Sequence, residues 1–547
     1  MLARVDWLIL LVYLAATLGI GYWSTRRAKR TSRDFFVAQR ALPWWVIGFT
    51  MVGASISAEQ MLGEVGYGLD LGLVVSNWDV AVFPSLALMV LVFLPIYLGS
   101  GVTTIPEYLE KRYDRTTRLL FGGYTVFNNA CVTLVMVLAL GAVALKYFLG
   151  LDPLWGVACL ALFTGLYTVA GGMTAVAWTD TFQCLLLLAG GLTVFGAGLA
   201  RVPGGWDGLL SRMSEPHLVR GLNDPCLPWP GLLLLAFSTN VWYCCTNQFY
   251  VQSCLGAKDA WHGQMGVLLT AVLGPVLTLC CAFPGYIAHD LLKGGLLPPL
   301  PAGAGGGHDA NATLPHLVNH LLGPGVRGLV VTGVVAAIMS SVSSIVNATA
   351  SVFTVDIYQR WWRPAATEAR LVRVGRVAGA LTLAVAAPLS LVAINYRYIF
   401  IYSQNAWCIL AIPIMLVFTL GMLWKRATAK AAIITFLFVL PFVAVPFVLG
   451  DNSWLTVPLV GVKMHLFTFA FCLWLVAGVV MVSASLLTAA PDPAAIAACV
   501  WRRRSRLGAS PEAGRVQAPA ALPWYRRIGF WCALMGLLYL AIYARFW

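Results

Sequence analysis

Apolar runs of roughly 20 residues recur along the whole chain, and each run is long enough to cross a bilayer as a helix. Of the 547 residues, 60% are hydrophobic and only 11% are charged. A soluble chain of this size has too little interior to hide so much apolar surface. The runs therefore predict an all-α polytopic membrane protein with about fourteen transmembrane helices.

Basic residues lie in short loops between the apolar runs, as in Arg26-Arg27 and Arg502-Arg503-Arg504, and the net charge is +14. Because positive loops face the cytoplasm, their order predicts that the N- and C-termini both lie outside. Such charge contacts lipid headgroups of the bilayer and does not indicate a nucleic acid partner. The first run, 7–23, precedes its basic cluster, which disfavours a signal peptide. We expect a multi-pass protein of the plasma membrane, the inner membrane in a Gram-negative bacterium.

One span, 44–66, has a polar middle that is unusual at membrane depth. Its centre reads Gly-Ala-Ser-Ile-Ser-Ala-Glu-Gln over residues 53–60. Carboxylates and amides inside a membrane usually face a protein interior or a wet cavity. Broken helices in transporters expose carbonyls that bind a cation and side chains that bind a solute. The alternative is a buried helix whose small residues allow close packing.

A second span, near 229–253, carries a similar interruption over residues 240–248. The two interrupted spans are the second and seventh predicted helices, so they lie five helices apart and run in opposite directions. Paired interruptions in two halves of a chain are the sequence sign of an inverted-repeat transporter.

Ten short strings, in one order and spacing, resemble the sodium:solute symporter family, which includes the sodium–glucose cotransporters. The strings are Phe35-Phe36-Val37-Ala38 before Leu42-Pro43-Trp44-Trp45, Ile56-Ser57-Ala58-Glu59-Gln60, Thr104-Ile105-Pro106-Glu107-Tyr108, Gly171-Gly172-Met173-Thr174-Ala175-Val176, Trp178-Thr179-Asp180, Asn247-Gln248, Ser340-Ser341, Phe353-Thr354-Val355-Asp356-Ile357-Tyr358 and Leu423-Trp424-Lys425. Within the family, the chain resembles the bacterial sodium/galactose symporters. The resemblance implies the leucine-transporter-like fold, a five-plus-five inverted repeat with one extra helix before it and three after.

Placed on the hydropathy pattern, the resemblance divides the chain into six segments. They are an extra N-terminal helix with a basic cytoplasmic loop (1–40), the first five-helix repeat (41–201), the second five-helix repeat (202–425), accessory helices (426–489), a cytoplasmic linker (490–524) and a last transmembrane helix (525–547). In the first repeat, the later spans are predicted near 153–171 and 179–200.

A sodium site is the first functional feature that the resemblance implies. Its ligands map to the backbone carbonyls of Gly53, Ile56 and Ala337 and to the hydroxyls of Ser340 and Ser341. Hard cations such as sodium prefer oxygen ligands. The alternative for the two serines is packing and hydrogen bonding between helices.

The solute site of the sugar-transporting members maps to six positions. They are Ser55, Gln60, Asp79, Asn240, Tyr243 and Gln404. Carboxylates and amides suit polyols, because each hydroxyl both donates and accepts a hydrogen bond. The alternatives are a helix-start cap for the aspartate and a core aromatic for the tyrosine.

Four positions depart from the family pattern. Gly274 replaces a sugar-contacting lysine, Cys244 replaces the tryptophan after the gating tyrosine, Val82 replaces a serine, and Asp79 is shorter than the usual glutamate. These changes keep a polar pocket but leave the solute open among hexoses, inositols and sugar acids.

A second sodium site is a further possibility that the resemblance raises, built from Asp180, Ser343 and Ser344. A buried anionic ligand facing serine hydroxyls would favour a cation. The alternative is that Asp180 caps the helix that begins beside it and that the serines only pack.

Sodium-coupled symport of a small polar solute, a sugar or polyol, is therefore the predicted function, with sodium as the only cofactor. Proton coupling is the main alternative, since Glu59, Glu64 or Asp180 could carry a proton. An enzyme is disfavoured because the chain has no paired-histidine motif and no P-loop. A sensor is disfavoured because the linker 490–524 is too short for an output domain. The sequence does not set the oligomeric state.

Overall fold

The computed structural model describes residues 2–27, 32–213, 215–302, 307–394, 399–449, 454–456, 463–501 and 523–547. The predicted basic cluster Arg502-Arg503-Arg504 and most of the predicted linker lie outside these residues. Within them, eleven helices are long and apolar enough to cross a bilayer, and Trp44–Ser55 and Pro153–Val169 are shorter apolar helices. The total number of transmembrane helices and the outside position of the termini remain predictions.

The described residues of the first part of the chain form twelve α-helices. They are α1 (Arg4–Arg27), α2 (Ser32–Val37), α3 (Trp44–Ser55), α4 (Val65–Leu71), α5 (Asn77–Val80), α6 (Phe83–Leu88), α7 (Leu94–Ser100), α8 (Ile105–Arg112), α9 (Arg115–Asn128), α10 (Leu134–Leu149), α11 (Pro153–Leu199) and α12 (Gly205–Arg212). π-helical turns at Glu59–Glu64, Met89–Phe93 and Asn129–Thr133 join some of them into longer spans.

The second part contains twelve more. They are α13 (Trp229–Leu234), α14 (Gln248–Leu255), α15 (Ala260–Cys281), α16 (Phe283–Lys293), α17 (Thr313–Leu321), α18 (Val326–Val352), α19 (Glu368–Ala393), α20 (Ile399–Leu423), α21 (Ala429–Val439), α22 (Ala444–Leu449), α23 (Leu466–Leu487) and α24 (Ile528–Arg545). π-helical turns lie at Leu235–Thr239, Trp242–Thr246 and Phe353–Trp362.

One small β-hairpin departs from the all-α prediction. Strands β1 (Trp454–Thr456) and β2 (Lys463–His465) pair antiparallel, with Trp454 opposite His465. The hairpin lies in the connection between α22 and α23. Backbone groups in such a connection need partners, and two extended segments that meet there supply them to each other.

Helix α11 corrects the predicted boundary between the spans 153–171 and 179–200. The second span begins at the bend at Gly172, where the backbone has φ 61° and ψ −160°, and continues helically through Asp180. Only glycine adopts such a conformation without strain. Asp180 therefore lies inside a helix, and the alternative that it caps a helix start is wrong.

Helix α18 lies at the centre of the bundle, and almost all of its apolar window is buried. It packs closely on α11, because a Cβ added to Gly333 would lie 2.9 Å from the Leu186 carbonyl oxygen, and one added to Gly190 would lie 3.3 Å from the Val330 Cα. Small residues allow membrane helices to approach this closely. The hydroxyl-rich middle of α18 is thereby held against α11 and α3.

Candidate functional site

The first predicted interruption is a break after Ser55, where Ile56 has an extended backbone, φ −95° and ψ 119°. The Gln60 Oε1 atom accepts hydrogen bonds from the Ser57 backbone N–H at 2.9 Å and from its hydroxyl at 3.3 Å. In a continuous helix that N–H would bond to the carbonyl of Gly53. The side chain of Gln60 therefore frees the Gly53 carbonyl for another partner.

The second predicted interruption is also a break, at Asn247, with φ −80° and ψ 123°. Gln248 begins the next helical segment, and its Oε1 atom accepts a hydrogen bond from the Ile105 backbone N–H at 2.8 Å. Both interrupted spans are thus broken helices. At the first break Gln60 satisfies a backbone N–H that the break leaves free, and at the second Gln248 satisfies an N–H in the first turn of α8, as membrane interiors require.

The residues of the predicted sodium site lie together where α18 crosses the first break. The Ser341 hydroxyl donates to the Ile56 carbonyl at 3.1 Å and lies 3.4 Å from the Gly53 carbonyl. The Ser340 hydroxyl is buried without a hydrogen-bond partner, and a Cβ on Gly53 would lie only 2.7 Å from it. Ala337 is buried one helical turn before Ser341. The glycine therefore leaves space beside four oxygens, the hydroxyls of Ser340 and Ser341 and the carbonyls of residues 53 and 56, which fits a small cation.

Asp180 lies directly beside this space. Its Oδ1 atom accepts from the Ser343 hydroxyl at 2.9 Å, and its Oδ2 atom accepts from the Ser344 hydroxyl at 2.7 Å. Its backbone carbonyl oxygen lies 3.1 Å from the position of a Cβ on Gly53. The two predicted sodium sites are therefore neighbours, which agrees with the adjacent positions of their serines on α18.

All six residues of the predicted solute site line one cavity of about 90 Å³ between the two broken helices. They are Ser55, Gln60, Asp79, Asn240, Tyr243 and Gln404. The Asn240 Nδ2 atom has no hydrogen-bond partner and is free to bind a solute, while the Asp79 carboxyl lies beside the buried Glu64 carboxyl and also lines the cavity. Asp79 lies within α5, whose N-cap residue is Ser76, so a helix-start cap does not explain it.

Sequence reasoning missed several residues at this cavity. Trp78, Thr270 and Trp407 line it, and only the position of Trp78 beside Asp79 could have indicated it. Glu59 was considered only as a proton carrier. It is buried, and its Oε1 atom accepts hydrogen bonds from Ser403 and Gln404, the latter at 3.4 Å, so it orients the amide of a predicted solute ligand.

Aromatic rings surround Tyr243 on the wall of the cavity. Its ring centroid lies 5.2 Å from that of Tyr250, 5.6 Å from Phe249 and 6.2 Å from Trp407. Cys244, which stands in place of the family tryptophan, is fully buried beside it. The cavity therefore has one aromatic wall facing amides and carboxyls, a combination that suits the apolar and polar faces of a polyol.

The charge of the cavity wall is one-sided. Among the described residues that line it, one is an aspartate and none is lysine, arginine or histidine. Gly274 lies at the wall in the position of the family lysine. The cavity therefore offers no cation to a carboxylate-bearing solute.

An ionic cluster of Glu110, Arg118, Asp356 and Arg360 joins the predicted cytoplasmic ends of three segments. Arg118 in α9 bonds to Asp356 and to Glu110 of α8, each at 2.7 Å, and the Arg360 Nε donates to Glu110 at 2.9 Å. The Thr104 hydroxyl also donates to Asp356, at 2.8 Å. Burial raises the pKa of Glu110, but hydrogen bonds from Arg360 and Arg118 outweigh it, and its pKa lies below the usual value.

Two broken helices around a polar cavity, with an oxygen cluster beside it, are the architecture of ion-coupled secondary transporters. The profile of the sodium:solute symporter family matches residues 35–438. The sodium/glucose cotransporter of Vibrio parahaemolyticus is 32% identical over 465 residues, which cover 81% of this chain and 84% of that protein. Sodium/myo-inositol cotransporter 2 of Oryctolagus cuniculus is 31% identical, over 95% of this chain and 81% of its own. The sodium/mannose cotransporter of Bos taurus is 31% identical, over 98% of this chain and 94% of that protein.

A solved Na+-coupled sialic acid symporter superposes with a TM-score of 0.75 and covers 90% of this chain and 99% of its own, at 20% identity. That likeness confirms the predicted leucine-transporter-like fold. The chain belongs to the sodium:solute symporter family, whose members are sodium-coupled membrane transporters and not enzymes.

Proposed function

We propose that this protein is a sodium-coupled symporter of a neutral polyol or hexose. The observation that supports the proposal most directly is the Ser341 hydroxyl. It lies on the carbonyls of Gly53 and Ile56 at the helix break, next to the cavity that Gln60 lines. An ion at this break and a solute in this cavity would share one broken helix, so binding of either favours the helix geometry that the other requires.

In this proposal, sodium takes the carbonyls of Gly53, Ile56 and Ala337 and the hydroxyls of Ser340 and Ser341. Neutral oxygens suit this role, because they bind a hard cation without the strong attraction of several carboxylates. The partnerless Ser340 hydroxyl supports it, since buried polar atoms usually have a partner.

The solute would contact Ser55, Gln60, Asp79, Asn240 and Gln404 and would be closed in by Tyr243. A neutral solute is favoured over a sugar acid, because the cavity wall has an aspartate and no basic side chain. The three sequence relatives named above are called glucose, myo-inositol and mannose cotransporters, all neutral solutes, and their names support the same class, whereas the sialic acid symporter is similar in fold at 20% identity.

A second sodium would bind at Asp180, Ser343 and Ser344. Asp180 is fully buried and no basic side chain is among its hydrogen-bond partners, which favours a cation beside it. Transport would follow from movement of the repeats 41–201 and 202–425 around the cavity. The segments 1–40, 426–489, 490–524 and 525–547 would add the flanking helices and the linker.

The test is uptake by the purified protein in proteoliposomes, with an inward sodium gradient and with potassium in its place. Myo-inositol, glucose, galactose, mannose and a sugar acid serve as solutes. We expect sodium-dependent uptake of one or more neutral solutes and none of the sugar acid. Uptake driven by a pH gradient, equal in sodium and potassium, would instead support the proton-coupled alternative, and selective uptake of the sugar acid would overturn the neutral class.

A further inference from the structure

The wall of the solute cavity at Gly274 is backed by the last helix of the chain. A Cβ added to Gly274 would overlap the hydroxyl oxygen of Tyr539 in α24. It would also lie 3.4 Å from the Asp79 backbone oxygen and 3.5 Å from the Tyr539 Cζ atom, both ordinary contacts. The hydroxyl of Tyr539, about 265 residues later in the chain, therefore occupies the space that a side chain at position 274 would need.

Tyr539 is held in this place by a backbone carbonyl of α15 that a proline leaves without its helical donor. Its hydroxyl donates to the Ala271 carbonyl at 2.8 Å. In a helix that carbonyl would accept from the N–H of residue 275, but residue 275 is Pro275, which has none. The tyrosine supplies the missing donor inside the membrane, where a lone carbonyl is costly. The hydroxyl therefore cannot turn away from Gly274 without leaving Ala271 unpaired.

The same helix also clamps the segment that carries Asp79. The Tyr539 ring stacks on Phe83 with centroids 4.9 Å apart, and the Tyr543 hydroxyl donates to the Asn77 side-chain oxygen at 2.8 Å. Phe83 and Asn77 lie on either side of Asp79 in sequence. Helix α24 thus contacts the segment that carries Asp79 on both sides of that residue, while the Asp79 carboxyl itself lies beside Glu64 and Thr278.

We propose that Tyr539 is a positioning residue for solute selection. Its hydroxyl keeps the cavity wall at Gly274 free of a side chain, and its contacts help to hold Asp79 opposite the amides of the cavity. The inference rests on the proposed function, because it assigns to α24 the selection of the same neutral solute. A side chain at position 274 becomes compatible with the site only when the tyrosine hydroxyl is removed. The C-terminal helix, outside the two repeats, is then part of the solute site.

A double-mutant cycle tests this directly, using Gly274→Ala, Tyr539→Phe and the double variant. Tyr539→Phe removes only the hydroxyl, so the alanine Cβ meets ring carbon at 3.5 Å. We expect Gly274→Ala alone to lower the unfolding temperature. It should also change the ratio of the KM values for two of the neutral solutes named above by about tenfold. In the Tyr539→Phe background, Gly274→Ala should have a clearly smaller effect on both the unfolding temperature and the KM ratio.

Leu540→Ala is the matched control, because Leu540 is the neighbour of Tyr539 on α24 and is 66% exposed toward the lipid side. It should leave the KM ratio unchanged. The KM for sodium should stay constant in the whole cycle, which separates solute positioning from general damage. Equal effects of Gly274→Ala in both backgrounds, or an unchanged KM ratio in every variant, would overturn the inference. If the parent protein takes up no neutral solute, the proposed solute class fails, while the unfolding temperatures still decide whether Tyr539 fixes position 274.

Discussion

The hydroxyl of Ser341 lies 3.1 Å from the carbonyl oxygen of Ile56, a residue 285 positions earlier in the chain. Ile56 is where the first broken helix turns extended, and Ser341 is in the middle of the most buried helix. The contact joins the two proposed repeats at one point. A cation that replaces this hydrogen bond would hold the same two helices together more strongly, since ion–oxygen contacts are charge-assisted.

Ser341→Ala should weaken sodium activation more than solute binding. The substitution removes one proposed ligand and leaves the carbonyls in place, a loss of about 1–3 kcal/mol, or roughly tenfold to hundredfold in the sodium concentration for half-maximal uptake. The measurement is sodium-dependent uptake at saturating solute. Thr349→Val is the control, since the Thr349 hydroxyl on the same helix bonds only to the Ile345 carbonyl. A normal sodium response in Ser341→Ala would contradict the proposed site.

Asp79→Asn and Gln404→Ala should each weaken solute binding. Asp79→Asn exchanges a carboxylate oxygen that accepts for an NH2 group that only donates, and Gln404→Ala removes the amide. Each change leaves a solute hydroxyl without its partner, at about 1–3 kcal/mol. Binding of the transported solute to purified protein, measured by calorimetry in saturating sodium, gives the affinity. Protein that elutes as a single species and unfolds at the parent temperature excludes misfolding. Parental affinity in both variants would show that the solute lies elsewhere.

Asp180→Asn should reduce the number of sodium ions moved per solute from two to one. Each charge moved contributes about 2.3 kcal/mol per 100 mV, so loss of one ion should lower the attainable solute gradient by roughly fiftyfold from voltage alone. The reversal potential at several sodium gradients reports the ratio. Ser344→Ala, which removes a neutral partner of Asp180, should act in the same direction. A slope of one sodium in the parent protein would leave Asp180 as a structural residue.

Arg118→Ala should destabilise the protein strongly, because it leaves the fully buried Asp356 carboxyl without its cation. Removing one partner of a buried pair costs about 3–5 kcal/mol. Thermal unfolding in detergent is the measurement, and Arg118→Ala combined with Asp356→Asn should regain part of the loss. Arg115→Ala is the comparison variant, because Arg115 is exposed, bonds to the backbone carbonyl of Arg360 and lies 4.1 Å from the centre of the Trp361 ring, but pairs with no buried carboxylate among the described residues. Equal unfolding temperatures of Arg118→Ala and the parent would show that the Arg118–Asp356 ion pair does not stabilise the protein.

The cluster should also make stability depend on acid pH through Glu110. The pKa of Glu110 in the folded protein is below the model-peptide value of 4.5. Its contribution to stability is therefore complete above that value and is lost as the pH falls through the lower folded pKa. Between pH 5 and the acid end of the titration, Glu110→Gln should lose less stability than the parent. Parallel unfolding curves for the two proteins over this range would contradict the assignment.

The sequence by itself determined the class and the outline of the fold. The length of an apolar run and the polar residues that interrupt it are local properties of the chain. The breaks near Ile56 and Asn247 could therefore be predicted from the local sequence alone. The motif resemblance then named the residues of the cavity, and their convergence agrees with it. The start of the second span in α11 was harder to predict, because Gly171-Gly172 lies within an apolar run and a glycine pair in such a run can mark either a bend or close packing.

The tertiary structure decided everything that depends on which helices lie side by side. The resemblance grouped Asp180 with Ser343 and Ser344, but no pattern in the sequence puts Asp180 inside a helix or orients Gln404 through Glu59. No pattern pairs Tyr539 with the carbonyl that Pro275 leaves free. Hydropathy reports how each segment meets lipid, whereas these contacts follow from the packing of segments hundreds of residues apart, and only packing fixes which polar atoms find a partner.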